Sequence, residues 1–266
     1  MEMYLQKIAC FAPGIDDWQT MCSALTGKIN YGELAAQQIS KIVPQILPAN
    51  ERRRTTSLIK LALHVGEQAT VEWPDGAQLA SVFSSSDGDH DILNKSTHAL
   101  TLPGRPVSPT NFHNSVHNAP AGYWAIAAKS QAFSTSLSVG DASFSGGLIE
   151  AATFSQCERQ PVLFIAYEYP AQSVLQTVRT CQYPFAVAML MTPVVSNQSQ
   201  TKFEISMHSE KQLSAMDNEN LEALRKDNPA ARSLPLLACL AHKTVDSCTL
   251  EYVNNTRITL KVTPCQ

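Results

Sequence analysis

The sequence predicts an α/β fold, and three observations carry that prediction. Residues 162–167 (VLFIAY) form a continuous apolar run between Pro161 and Pro170, as in a strand buried on both faces. Leu58, Leu61, Ala62 and Val65 recur at i, i+3, i+4 and i+7, which places them on one face of a helix. The chain has 266 residues, 44% hydrophobic and 16% charged. That is long and apolar enough to bury one substantial core and further surface against a partner.

The elements follow in order. Asp16 and Asp17 are placed to cap a short helix running to Leu25. Arg52-Arg53-Arg54 flanks the start of the amphipathic helix, with Thr55, Thr56 or Ser57 as its N-cap. Residues 78–84 read as a strand, and residues 85–89 (SSDGD) as a polar turn. Residues 101–122 carry four prolines, Pro103, Pro106, Pro109 and Pro120, and read as a long functional loop. A helix over 121–129, a strand over 135–139 and a small-residue helix over 144–153 follow, and then the buried strands 162–167 and 186–191. Past a polar connector at 196–201 come a strand at 203–207 and helices at 218–226 and 233–242. Ile258, Leu260 and Val262 then alternate with polar residues, as in a half-exposed strand.

Composition excludes several classes. A net charge of −3 is no polycation signature, which argues against a nucleic-acid ligand. The seven cysteines are scattered with no C-x-x-C pair, which favours free thiols in a reducing cytoplasm. The first residues contain Glu2 and Pro13 and lack a signal-peptide core. The most apolar stretch, 184–195, is too short to span a bilayer and is broken by Pro193. A soluble cytoplasmic protein is expected. No G-x-G-x-x-G or P-loop pattern is present, and no cofactor is expected.

Three constellations bear on chemistry. In residues 139–147 (VGDASFSGG) a strand enters a sharp turn and then a helix. Backbone N–H groups there favour a nucleophile or an oxyanion. Ser143 or Ser145 is therefore either a hydrolase or acyltransferase nucleophile or part of a helix start. The G-x-S-x-G elbow is absent, which favours Asp141 or Ser143 as a helix cap, with Gly146 and Gly147 allowing close packing. His113 and His117 are spaced i, i+4, but flanking prolines and asparagines and the lack of a third ligand speak against a metal site. Asp87, Asp89 and Asp91 alternate without the glycine and glutamate of a calcium loop, so they read as a solvated turn.

Taken together, linked stretches give the chain a resemblance to the β-ketoacyl synthases of the thiolase-like fold. They are the arginine-containing helix entry at 52–54, the strand and glycine turn from Val82 to Gly88, the loop from Ser108 to Gly122, and the strand and turn from Ser136 to Ser143. The buried strands at 161–167 and 186–192 continue the likeness. Aligned on Ser138-Val139 and Ala142, the family's nucleophilic cysteine falls at Ser143. The resemblance covers residues 1–192. His208 and His242 fit neither the H-G-T-G-T nor the N-H-x-F-G pattern of the family's catalytic histidines.

The resemblance implies a mixed β-sheet flanked by helices. It divides the chain into a ketosynthase-like N-terminal thiolase-fold domain, 1–195, and a short α/β extension, 196–266, in place of the second half. With neither cysteine nor histidines, the chain is similar to the chain length factors of type II polyketide and aryl polyene systems. Those subunits pair with an active ketosynthase. The partner would then be a ketosynthase, with acyl carrier protein held mainly by it. Phe112, His113, Ser115, His117, Asn118, Thr135, Leu137 and Val139 would line the interface or acyl tunnel, with bulk added by Tyr123 and Trp124. A homodimeric acyl-binding scaffold is the remaining alternative.

Overall fold

A computed structural model describes every residue except 38, 74–77, 171–173, 178–180, 209 and 266. The chain opens with β1 (Glu2–Phe11) and α1 (Trp18–Leu25), which the Asp17 carboxylate caps by accepting from the Thr20 N–H. Next are α2 (Tyr31–Ala35) and α3 (Ala49–Arg54), whose last turn holds all three arginines, where the negative end of the helix dipole favours cations. α4 (Ser57–Thr70) starts where Thr56 accepts from the Ile59 N–H, and it buries Leu58, Leu61, Ala62 and Val65 together.

β2 (Ala80–Ser84), α5 (His90–Thr101), α6 (Pro109–Asn114) and α7 (Ala119–Ala128) lead to β3 (Ser134–Leu137) and α8 (Ser143–Glu158). β4 (Val162–Glu168), β5 (Phe185–Thr192) and β6 (Thr201–His208) precede α9 (Glu219–Asp227), α10 (Leu234–His242), β7 (Asp246–Glu251) and β8 (Arg257–Pro264).

The eight strands form one sheet in the order β3-β2-β4-β5-β1-β6-β8-β7. β2 runs parallel to β3 and β4, and the other pairings are antiparallel. The expected mixed sheet is therefore present. Residues 196–266 supply β6, β8 and β7, which extend this sheet beyond β1.

Helices cover both faces, and strand pleating sorts the core between them. On β4, Leu163, Ile165 and Tyr167 join Leu61, Val65, Phe83 and Trp124, whereas Val162, Phe164 and Ala166 join Phe144, Leu148, Leu236 and Leu260. Every residue of β4 and β5 is buried, as the apolar runs predict.

Two expectations are corrected. About half of the segment 101–122 is helical: Ser108 caps α6 with Pro109 at its start, and Pro120 lies in the first turn of α7. Proline suits those positions because the first-turn N–H has no intrahelical partner. The acidic turn at 87–91 begins a helix, with the Asp89 carboxylate accepting from the Ile92 N–H to cap α5.

Candidate functional site

The turn between β3 and α8 carries the position of interest. β3 ends at Leu137, two residues earlier than expected, and Val139 only bridges to Asp141 across the turn. Gly140 has φ +57°, the left-handed conformation that glycine adopts without steric cost. α8 then starts at Ser143, with Ala142 in the capping position and no side-chain cap. Neither Asp141 nor Ser143 is the cap. The Ser143 hydroxyl turns back instead, donating to the Gly140 carbonyl at 2.7 Å and accepting from the Val139 N–H at 2.9 Å. Its own carbonyl accepts from the Ser84 hydroxyl at 2.5 Å.

Ser143 is 2% exposed. Its proton points at a carbonyl oxygen, which is no base, so this arrangement does not activate the hydroxyl as a nucleophile. Ser145 is equally buried. The small residues of α8 explain how closely it seats on the sheet. A Cβ at Gly146 would stand 2.6 Å from Val139 Cγ2, and one at Gly147 2.7 Å from Ser84 Cβ and also against the Phe164 ring.

The loop after β2 is tied to the same region. Ser138 donates to the Ser86 carbonyl at 2.5 Å, and the buried Glu168 carboxylate accepts from the Ser86 N–H. The His117 Nε2 lies 3.0 Å from the Ser85 carbonyl, so this ring positions the 85–88 loop and does not reach Ser143 as a base. Asp141 pairs with Arg232 at 3.4 Å, and Arg232 pairs with Glu251 at 2.6 Å. Burial raises the Glu251 carboxyl above its ordinary value, against the opposing pull of Arg232. Sequence reasoning missed Arg232, Ser84 and Glu168, since no spacing signals a contact made only when distant segments meet.

β3 is an edge strand: among the described residues it pairs only with β2, Ser81 facing Ser134 through Ser84 facing Leu137. Beside it, His117, Asn118, Ala121, Gly122, Ala125 and Thr135 line a shallow groove of about 540 Å³. Leu137 and Val139 are half-buried against α8 near Gly146. Phe112 is 71% exposed on α6, His113 makes an edge contact with the Tyr123 ring, and Ser115 donates to the Phe112 carbonyl. Of the expected interface residues, the fold thus gathers His117, Asn118 and Thr135 in one groove. Phe112, His113 and Ser115 stand apart from it on and just after α6. Tyr123 and Trp124 are core residues, 5% and 1% exposed, and add no bulk to a surface.

Two of the three arginines also do more than flank a helix. Arg53 and Arg54 line a cavity of about 420 Å³ with Lys60, Lys95, Asp89 and Asp91, a mixed-charge site to which α3, α4, α5 and α6 all contribute. Among the described residues no group of three or more His, Cys, Asp or Glu side chains converges to hold a metal. No helix among them is long and apolar enough to cross a membrane.

A mixed sheet between two helical layers, with a tight turn entering a buried small-residue helix, defines a thiolase-like fold. The chain belongs to the β-ketoacyl synthase family: the model of the β-ketoacyl synthase N-terminal domain matches residues 29–255. That match runs well past residue 192, where the sequence resemblance had stopped.

Solved structures of similar fold include the ketosynthase ApeO in complex with its chain length factor ApeC from Xenorhabdus doucetiae. There the identity is 23%, the TM-score 0.72, and coverage 98% of this chain and 99% of that chain. The ishigamide ketosynthase/chain length factor matches at 11% identity and TM-score 0.75, covering 100% of both chains. The AntDE:AntF complex, a type II acyl-carrier protein with its ketosynthase bound to the hexaketide, matches at 10% identity and TM-score 0.75, covering 99% of both chains. No curated protein matches the sequence.

Proposed function

We propose that this chain is a non-catalytic chain length factor subunit. It pairs with an active β-ketoacyl synthase and shapes the acyl tunnel of a polyene- or polyketide-forming complex. The observation that carries the reading is the Ser143 hydroxyl, spent on the Val139 N–H and the Gly140 carbonyl at the turn where the family's thiol is expected. The unpaired edge of β3 supports it, because an exposed strand edge is stable against aggregation only when shielded or covered. The groove lined by His117, Asn118 and Thr135 beside that edge supplies a surface for the partner. Acyl carrier protein is assigned mainly to that partner, and product length to pocket shape, with Phe112 the first residue to vary.

The test is co-expression with an active ketosynthase from the same source, followed by co-purification, size measurement and product analysis. A stable complex whose product length changes when Phe112 is enlarged or shrunk supports the reading. A stable homodimer that ignores the ketosynthase, or fluorophosphonate labelling lost in Ser143→Ala, overturns it.

A further inference from the structure

The described helical glycines fall into two kinds. A Cβ at Gly32, Gly66, Gly146 or Gly147 would come closer than 3.0 Å to a neighbouring side chain, so packing inside the chain accounts for each of them. Gly122 of α7 differs. A Cβ there would meet nothing within 4 Å, and its φ is not positive. Neither a turn nor a close neighbour within the chain calls for glycine, and alanine is the better helix former. Gly122 is exposed between the buried Ala121 and Tyr123, and it lines the groove beside β3 together with Ser134, Thr135 and Ser136. The Ser136 hydroxyl oxygen is buried, and it has no hydrogen-bond partner among the described residues. A buried hydroxyl left in that state loses its water without replacement, which is why most such groups are paired. One groove thus carries two unmatched features, open space above a glycine Cα and a hydroxyl without a partner.

We infer that Gly122 is the point of closest approach of the partner ketosynthase. A side chain of the partner with an apolar body packs against the bare Cα of Gly122. Its polar tip bonds the Ser136 hydroxyl once that side chain turns about χ1. Glycine serves here because any Cβ on α7 would hold the incoming chain off. The flanking Ala121 and Ala125 keep the same wall of the groove low. This contact rests on the chain length factor reading and narrows its interface from a surface to one residue. Water filling a groove that plays no part in pairing is the rival, and it predicts no dependence of affinity on either residue.

The test titrates the purified full-length chain against an active ketosynthase from the same source and measures urea midpoints of the chain alone. In Gly122→Ala the midpoint is expected to hold or rise, because alanine favours the helix. Affinity for the ketosynthase should nevertheless fall by about tenfold, the cost of one methyl forced into a packed contact. Gly122→Leu should abolish the complex, and if leucine disturbs folding the alanine variant carries the test by itself. Ser136→Ala should weaken binding severalfold without lowering the midpoint, since its hydroxyl has no bond to lose inside the chain. Wild-type affinity in both Gly122→Ala and Gly122→Leu overturns the close approach and leaves the chain length factor reading standing. A lowered midpoint in Gly122→Ala also overturns it, because the glycine is then needed within the chain. If the wild-type chain binds no ketosynthase at all, the contact and the reading beneath it fall together.

Discussion

The hydroxyl of Ser143 is 2.7 Å from the carbonyl of Gly140, to which it donates. With the bond it accepts from the Val139 N–H, it closes the turn from within and leaves no donor for substrate chemistry. Ser143→Ala is therefore expected to leave chain elongation by the co-expressed complex within about twofold of wild type. Stability should fall by about 1 kcal/mol, the usual net worth of a buried hydroxyl's bonds. Product assay and urea unfolding together check both halves. A loss of elongation without a loss of stability would assign the serine a chemical role.

Thr135 lies on the edge strand and also lines the groove with His117 and Asn118. A lysine there keeps the pairing of β3 with β2 but places a charge where a partner must approach, the device by which natural edge strands refuse pairing. Thr135→Lys is expected to abolish co-purification with the ketosynthase while the unfolding midpoint of the isolated chain stays put. Retained co-purification would move the interface away from β3.

The parts legible in the sequence were those whose local pattern and tertiary burial agree. α4, β4 and β5 were read correctly because their apolar spacing matches the faces they bury. β1 was missed: Met3, Leu5 and residues 8–11 are buried, but Gln6 is buried among them and Glu2 and Lys7 break the run. Gln6 is tolerated there because its side chain bonds Thr192, Ser196 and Ser199, partners that lie about 190 residues away. α5 was missed because it is a mostly polar helix of which only Ile92 is buried, with Leu93 and Leu100 left exposed. The turn into α8 was legible around residues 139–143, yet the cap role assigned to Ser143 is wrong. Whether a serine caps the following helix or grips the preceding carbonyl depends on a rotamer, which residue order does not encode.

Glu222 gives the fold an acid-sensitive joint. Arg225 grips its carboxylate with two bonds of 2.7 Å, and the Met216 N–H and Lys226 add to the hold. The Arg225 hydrogen bonds hold its pKa down to about 2, below the ordinary 4.5. Because the folded value is the lower one, the stabilisation is complete above about pH 4.5 and disappears as pH falls towards about 2. Glu222→Gln removes that dependence. Urea midpoints at about pH 6 and about pH 3 should fall more steeply for wild type than for the variant. Parallel slopes would show that the carboxylate does not titrate in this window.

Arg232 joins the candidate turn to the far strand, since one guanidinium meets Asp141 at 3.4 Å and Glu251 at 2.6 Å. Burial already raises the Glu251 carboxyl, and Arg232 works against that rise. Arg232→Ala leaves Glu251 half-covered with only the weaker field of Arg225 and cuts the tie to Asp141. The expected cost is about 2 kcal/mol, below the ~3–5 kcal/mol of a fully buried pair that loses one partner. Glu251→Gln should recover part of it in the double variant, because the uncompensated charge is then gone. A double-mutant cycle by urea unfolding separates this coupling from lost packing of the arginine stem. If the two substitutions simply add, the Arg232–Glu251 pair contributes nothing to stability.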